Sequence, residues 1–286
     1  MNYKEPPKTS FFTTILSIIS PIAYFNINHK KFDKIYQSKL VGFSAYVLHD
    51  YEYIKHICIH NNVNYKKNVK YDLLSYVLGN GLFTTNSDTW REQRHKMQPL
   101  FNHKIIQKSF PLIYLETIKA FEKKVTNEII DISEFMGNLT LNIILKNFLS
   151  VNSDEIVSSI RFNIERATKI SNFLLRLPFP SYPSWLFNIF VFNKLRISKI
   201  KLHKTVTEII NNAMLCESSN IIRKYLNSNN DCKVSLEDID QLKDEIITLI
   251  LAGHETTHYA LSWIVYILCV NEDVKIKLVQ IIAKKN

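Results

Sequence analysis

The residues best able to do chemistry lie in one run, LILAGHETTHYALSW, from Leu249 to Trp263. It supports two readings that use different faces of a helix. His254, Glu255 and His258 spell HExxH, which sets two imidazoles one turn apart and could bind zinc, with the glutamate as general base of a metalloprotease. Catalytic zinc needs a third protein ligand. Leu261 and Ile264 stand where a metzincin extension would put its glycine and histidine, and the only later carboxylates are Glu272 and Asp273, close by.

The other reading takes Leu249, Ala252, Gly253, Thr256, Ala260 and Trp263 as one face, with its small residues in the centre. A glycine inside a helix costs roughly 1 kcal/mol against alanine, so Gly253 calls for a reason. Close approach of a flat ligand or of another backbone would be one. Thr256 can turn its hydroxyl back to the carbonyl of Ala252, four residues earlier. The outcome is a groove carrying a hydroxyl beside a carboxylate, Glu255, in an otherwise dry helix.

A second set of polar groups stands far upstream. Trp90 and Arg94 are four residues apart, with Met97 and Phe101 continuing the same helical face. An indole N–H and a guanidinium both donate and neither accepts, so together they suit a carboxylate.

These groups need long helices to position them, and the sequence names the boundaries. Ser87 or Asp88 caps a helix over 87–99. Asp131 with Glu134 resembles a capping box before an apolar run that ends near Ser150. A helix from about Ser153 to Leu177 ends in PFPSYP, because proline cannot continue it. A further helical stretch runs from Ser184 to about Asn227, followed by a polar NSNNDCK loop. Ser235 with Asp238 opens the longest helix, 235–270, which at 1.5 Å per residue spans about 45–50 Å. Its second half is apolar on every side and is expected to run through the protein interior. Before all this, LVGFSAYVL (40–48) reads as a strand ended by His49 and Asp50, with helical character from Tyr51 to Ile59, so a small β element occupies 38–60.

Composition agrees with a mainly α fold in one domain, 1–286. The 286 residues are 46% hydrophobic, enough for a substantial core, and hold five glycines, too few for a glycine-rich nucleotide-binding sheet. The formal charge of +10 is scattered. Its densest cluster, Lys194 to Lys204, would spread around a helix without aromatic platforms, so nucleic acid is not an expected partner. Cys58, Cys216, Cys232 and Cys269 show no CxxC spacing and no secretory signal is present, which suggests a cytoplasmic protein or one associated with a membrane. Phe11–Ile27 is broken by Pro21, and Ile246–Val270 carries His254, Glu255 and His258 at its middle. Both are therefore expected to be buried protein rather than membrane spans.

The motifs together resemble the cytochrome P-450 family of haem-thiolate monooxygenases. AGHETT is similar to the family's [A/G]-G-x-[D/E]-T-[T/S] in the central distal helix. GLFT, WxxxR and PxF within GNGLFTTNSDTWREQRHKMQPLF look like its wording around the helix that holds a haem propionate. VLHDYEYIKHI, NNVNYKKN and LLRLPFPSYPSWL also resemble family segments, in the family's order, with 163 positions from Trp90 to Gly253. The resemblance covers roughly Val41 to the C-terminus. It implies that Ala252 and Gly253 face haem b and O2, and that Glu255 and Thr256 form the acid–alcohol pair that delivers protons. It further implies that Trp90 and Arg94 hold a propionate, with Lys66 or Lys67 as a further candidate. The implied reaction is hydroxylation of an apolar small-molecule substrate, with NAD(P)H-derived electrons from a ferredoxin or flavin reductase. The family's ExxR pair and glycine-flanked cysteine loop, whose thiolate binds iron, are absent after the central helix, and Cys269 has no such loop around it. The chain thus reads as a truncated cytochrome P-450 fold expected to be inactive alone. The alternative is a haem-free helical remnant or interaction module.

Overall fold

The computed structural model describes residues 5–40, 43–68, 70–123, 129–176, 191–215, 221–227 and 235–284. Helices, numbered over these residues, dominate. They are α1 (Phe11–Ile19), α2 (Pro21–Lys31), α3 (Tyr51–Lys55, continued by a π turn over His56–His60), α4 (Lys70–Leu78) and α5 (Ser87–Met97). There follow α6 (His103–Glu122), α7 (Ile132–Leu149), α8 (Asp154–Arg176), α9 (Val191–Leu215), α10 (Ile221–Asn227), α11 (Leu236–Val270) and α12 (Glu272–Ala283). The contacts group into two compact units.

The first unit comprises 1–77, 84–91 and 165–199. Its sheet is an antiparallel hairpin of β1 (Ile35–Leu40) and β2 (Phe43–Leu48), registered from Ile35 opposite Leu48 to Leu40 opposite Phe43. The sequence foresees β2 and its end at His49. It misses β1, whose IYQSKL mixes polar and apolar residues without a clean alternation. Tyr24, Phe32 and Tyr36 form the local core with Leu16 and Val47, and the Tyr24 hydroxyl donates to Ser38 Oγ at 2.6 Å. Proline at the first position of α2 separates it from α1 at Ser20. The expectation that Phe11–Ile27 is buried is corrected here: Phe12, Ile19 and Ile22 are more than three-quarters exposed, while Leu16 and Tyr24 pack into the core cluster with Phe32 and Tyr36. Among the described residues, no helix is long and apolar enough to cross a membrane.

The second unit comprises 78–83, 92–164 and 200–286. At its centre α7 packs along the middle of α11, with Ile144 against Gly253, Thr140 beside His254 and Ser133 beside His258. Asp131 caps α7 by accepting from the backbone N–H of Glu134 at 3.0 Å, one half of the capping box foreseen. Ser150 closes the helix in the left-handed conformation. Leu141 and Leu145 of α7 are fully buried, as are Ile246, Ile247 and Ile250 of α11. Lys146 of α7 donates to Glu116 of α6 at 2.7 Å. Ser235 and Asp238 form a complete capping box at the start of α11, as the sequence requires. The Ser184–Asn227 stretch is resolved into α9 and α10, and Arg223 of α10 donates to the terminal carbonyls of Ala213 and Met214. The PFPSYP turn, Cys216, Cys232 and most of the NSNNDCK loop lie outside the described residues.

One expectation for α11 fails. Burial runs from Leu242 to His254 and then stops. Tyr259, Trp263, Ile264, Tyr266, Ile267 and Val270 are all exposed. Apolar residues on every side call for partners on every side, and among the described residues α7, through Phe135, Met136 and Leu139, covers the side carrying Leu261 and Val265.

Candidate functional site

The two faces of α11 have separate surroundings. His254 is buried against α7, with Nδ1 3.1 Å from the Thr140 hydroxyl, and His258 Nε2 lies 3.4 Å from Ser133 Oγ. The two imidazoles stack at 5.4 Å. Burial, then the neighbouring His258 and Arg161, lowers the pKa of His254 to about 4. The ring is therefore neutral at ordinary pH and serves as an interhelical contact. Among the described residues no group of three His, Cys, Asp or Glu side chains could hold a metal ion.

The opposite face holds the small residues. Leu249, Ile250, Ala252 and Gly253 of α11 form one wall of a cavity of about 310 Å³. Ile144, Phe148 and Leu149 of α7, with Phe101, form the other. The lining is hydrocarbon throughout. A Cβ built on Gly253 would lie 2.9 Å from Ile144 Cδ1, so the glycine admits the tip of an isoleucine as well as leaving the cavity wall thin. The Thr256 hydroxyl donates to the Ala252 carbonyl at 2.6 Å, the bond that the i−4 spacing predicts. Ala252 and Thr256 are exposed, and Glu255 is half-buried beside them. Ala260 and Trp263 continue this face but are exposed and line no part of the cavity.

Trp90 and Arg94 both lie in α5, half-buried and exposed respectively. The Lys67 ammonium donates to the Thr85 carbonyl at 2.7 Å and sits over the ring of Tyr71, which gives it a structural partner. Cys58 and Cys269 are exposed thiols, and neither lines the cavity.

Sequence reasoning missed the polar half of this α11 face. Glu245 is 1% exposed, and its carboxylate accepts from the backbone N–H of Leu82 at 3.0 Å and from Gln241 Nε2 at 2.9 Å. Asp244 accepts from the N–H of Asn80 at 2.7 Å. The available signal was the pair of glycines in GNGL. A Cβ on Gly81 would fall 2.3 Å from Thr248 Oγ1, so this loop lies flush against α11.

A sequence model of the Cytochrome P450 family matches residues 4–284. The chain is 25% identical over 247 residues, 76% of its length, to "Cytochrome P450 97B2, chloroplastic" of Glycine max. It is 26% identical over 268 residues, 82% of its length, to "Cytochrome P450 94A1" of Vicia sativa. It is 24% identical over 254 residues, also 82%, to "Protein LUTEIN DEFICIENT 5, chloroplastic" of Arabidopsis thaliana. These matches span 42%, 48% and 42% of the three relatives, so the chain covers about half of their length.

Proposed function

Because the chain belongs to the cytochrome P450 family, we propose that it supplies the oxygen-side half of a haem monooxygenase site, for hydroxylation of an apolar small molecule. The observation that carries this reading is the Thr256–Ala252 bond, on a helix whose Ala252 and Gly253 line an apolar cavity.

The residues present fit one side of haem b. A flat macrocycle needs a face without bulky or charged groups, and Ala252 and Gly253 provide it. Its carboxylates need a donor, and Arg94 of the same unit provides one from α5. When bound, haem supplies the iron at which O2 is reduced and cleaved. The chain's own contribution is protons and dryness. Thr256 holds a hydroxyl proton on the carbonyl of the cavity-lining Ala252, and the half-buried Glu255 carboxylate passes protons from water toward it. The cavity excludes water and accepts a hydrocarbon substrate. Electrons come from NAD(P)H through a ferredoxin or flavin reductase. Cys58 and Cys269 are exposed and line no part of the cavity, so neither is assigned as the iron ligand.

Hemin titration of the full chain tests this reading. Weak but saturable binding of one hemin per chain is expected. Ala252→Leu, at an exposed position that tolerates bulk, should lower the affinity by thickening the wall. A chain that binds no hemin, or binds it equally well with Ala252→Leu, would leave the helical interaction module as the better account.

A further inference from the structure

The face of α11 that lines the cavity continues toward the helix N-terminus. Stepping back from Ala252 by three or four residues gives Leu249, Glu245, Gln241 and Asp238, so the polar and apolar parts belong to one stripe. The polar part grips two things. It holds the loop 79–82 through Glu245 to Leu82 and Asp244 to Asn80. It also reaches α5. The carbonyl of Asn80 accepts from Gln93 Nε2 of α5 at 2.7 Å and from Gln241 Nε2 of α11 at 3.1 Å. Gln241 spends its other amide hydrogen on Glu245. The chain of bonds therefore runs from the buried carboxylate through Gln241 and one loop carbonyl to Gln93, the residue next to Arg94. A carboxylate removed from water is costly unless its oxygens are occupied, and both oxygens of Glu245 are.

We propose that Glu245 is a positioning residue: through the 79–82 loop and Gln93 it sets where Arg94 stands relative to the Ala252–Gly253 wall. It thereby decides whether that guanidinium meets the carboxylates of a macrocycle on the wall. The proposal rests on the haem reading above and adds a residue to it. Lys96 and Asp238, 4.0 Å apart, give a second and weaker tie between α5 and α11.

The test uses the full chain and two probes, hemin and hemin dimethyl ester, which lacks the free carboxylates. A charge-assisted contact gives the parent a preference for hemin of about tenfold or more. Arg94→Ala should remove that preference while leaving ester affinity unchanged. Glu245→Leu should do the same although it lies off α5, and the double variant should be no worse than Arg94→Ala. Glu245→Gln, which keeps an acceptor for the Leu82 N–H, should restore the preference. Should Glu245→Leu fail to fold, Gln93→Leu cuts the same chain at the Asn80 carbonyl. Parental preference persisting in Glu245→Leu or Gln93→Leu would overturn the positioning role alone. A parent that binds neither macrocycle would overturn the haem reading beneath it.

Discussion

The hydroxyl of Thr140 on α7 lies 3.1 Å from Nδ1 of His254 on α11, in a site closed to water. Thr140 Oγ1 is also 2.9 Å from the Met136 carbonyl and 3.2 Å from that of Gly137. With its proton directed at those carbonyls, the hydroxyl accepts from the imidazole, which fixes the Nδ1–H tautomer. This separates the two chemistries written into one peptide. HExxH spacing sets both imidazoles beside Thr140 and Ser133 of α7, and AGxET spacing sets Ala252 and Gly253 on the cavity wall, with Thr256 bonded back to Ala252.

Acid should loosen this contact. His254 titrates near 4 in the fold against an ordinary 6.5, so between those values the unfolded chain binds the extra proton. Stability is then fully present above about pH 6.5 and falls as pH drops toward 4, by about 3 kcal/mol at most. Urea unfolding at pH 7.5 and about pH 4.5 should show the fall, and His254→Leu should flatten it. An equally steep fall in His254→Leu would place the acid sensitivity elsewhere.

Gly253 should be tight for branched side chains but tolerant of alanine. Its Cβ would press only on the flexible tip of Ile144. Gly253→Ala is therefore expected within about 1 kcal/mol of the parent, with helix propensity offsetting the contact. Gly253→Val should destabilise by about 1–3 kcal/mol. Ile144→Val should recover part of that in a double-mutant cycle, and strict additivity would show that the two residues do not meet.

How much of this was legible follows from where each partner sits. The Ser235–Asp238 box and the Thr256–Ala252 bond are local to one helix, so spacing alone locates them. Ile144 against Gly253 and Asn80 against Asp244 join segments distant in sequence, and residue type hardly signals either. The apolar second half of α11 was legible as a surface that wants cover. Pattern records that demand and says nothing of the supplier, which is why expected burial and observed exposure diverge there.

Gly79 offers a check on the loop. Its φ is +75°, and a Cβ would fall 1.9 Å from Asp244 Oδ1. Gly79→Ala is expected to cost about 1–3 kcal/mol from backbone strain, plus the loss of room for the carboxylate. In an Asp244→Ala background only the backbone part should remain. Equal losses in both backgrounds would mean the carboxylate yields freely.

The acid–alcohol pair makes the sharpest demand, and it is tested in a chain joined to the C-terminal half of a relative so that haem is held normally. Thr256 is exposed and its hydroxyl bonds within its own helix, so Thr256→Ala should change stability by less than about 1 kcal/mol. Haem content and substrate affinity should stay near the parent's. What should change is the fate of electrons: NAD(P)H consumption continues while hydrogen peroxide leaves in place of hydroxylated product, because protons no longer arrive at the right atom. Glu255→Gln should shift the same ratio by removing the group proposed to recharge the threonine. Arg94→Ala should behave differently, losing haem before it alters the ratio, since it deletes the proposed carboxylate contact, worth about 1.5–3 kcal/mol. Product per NAD(P)H and haem per chain, measured on all three, separate the roles. Full coupling in Thr256→Ala together with full haem retention in Arg94→Ala would mean that these residues share the family's positions without its chemistry.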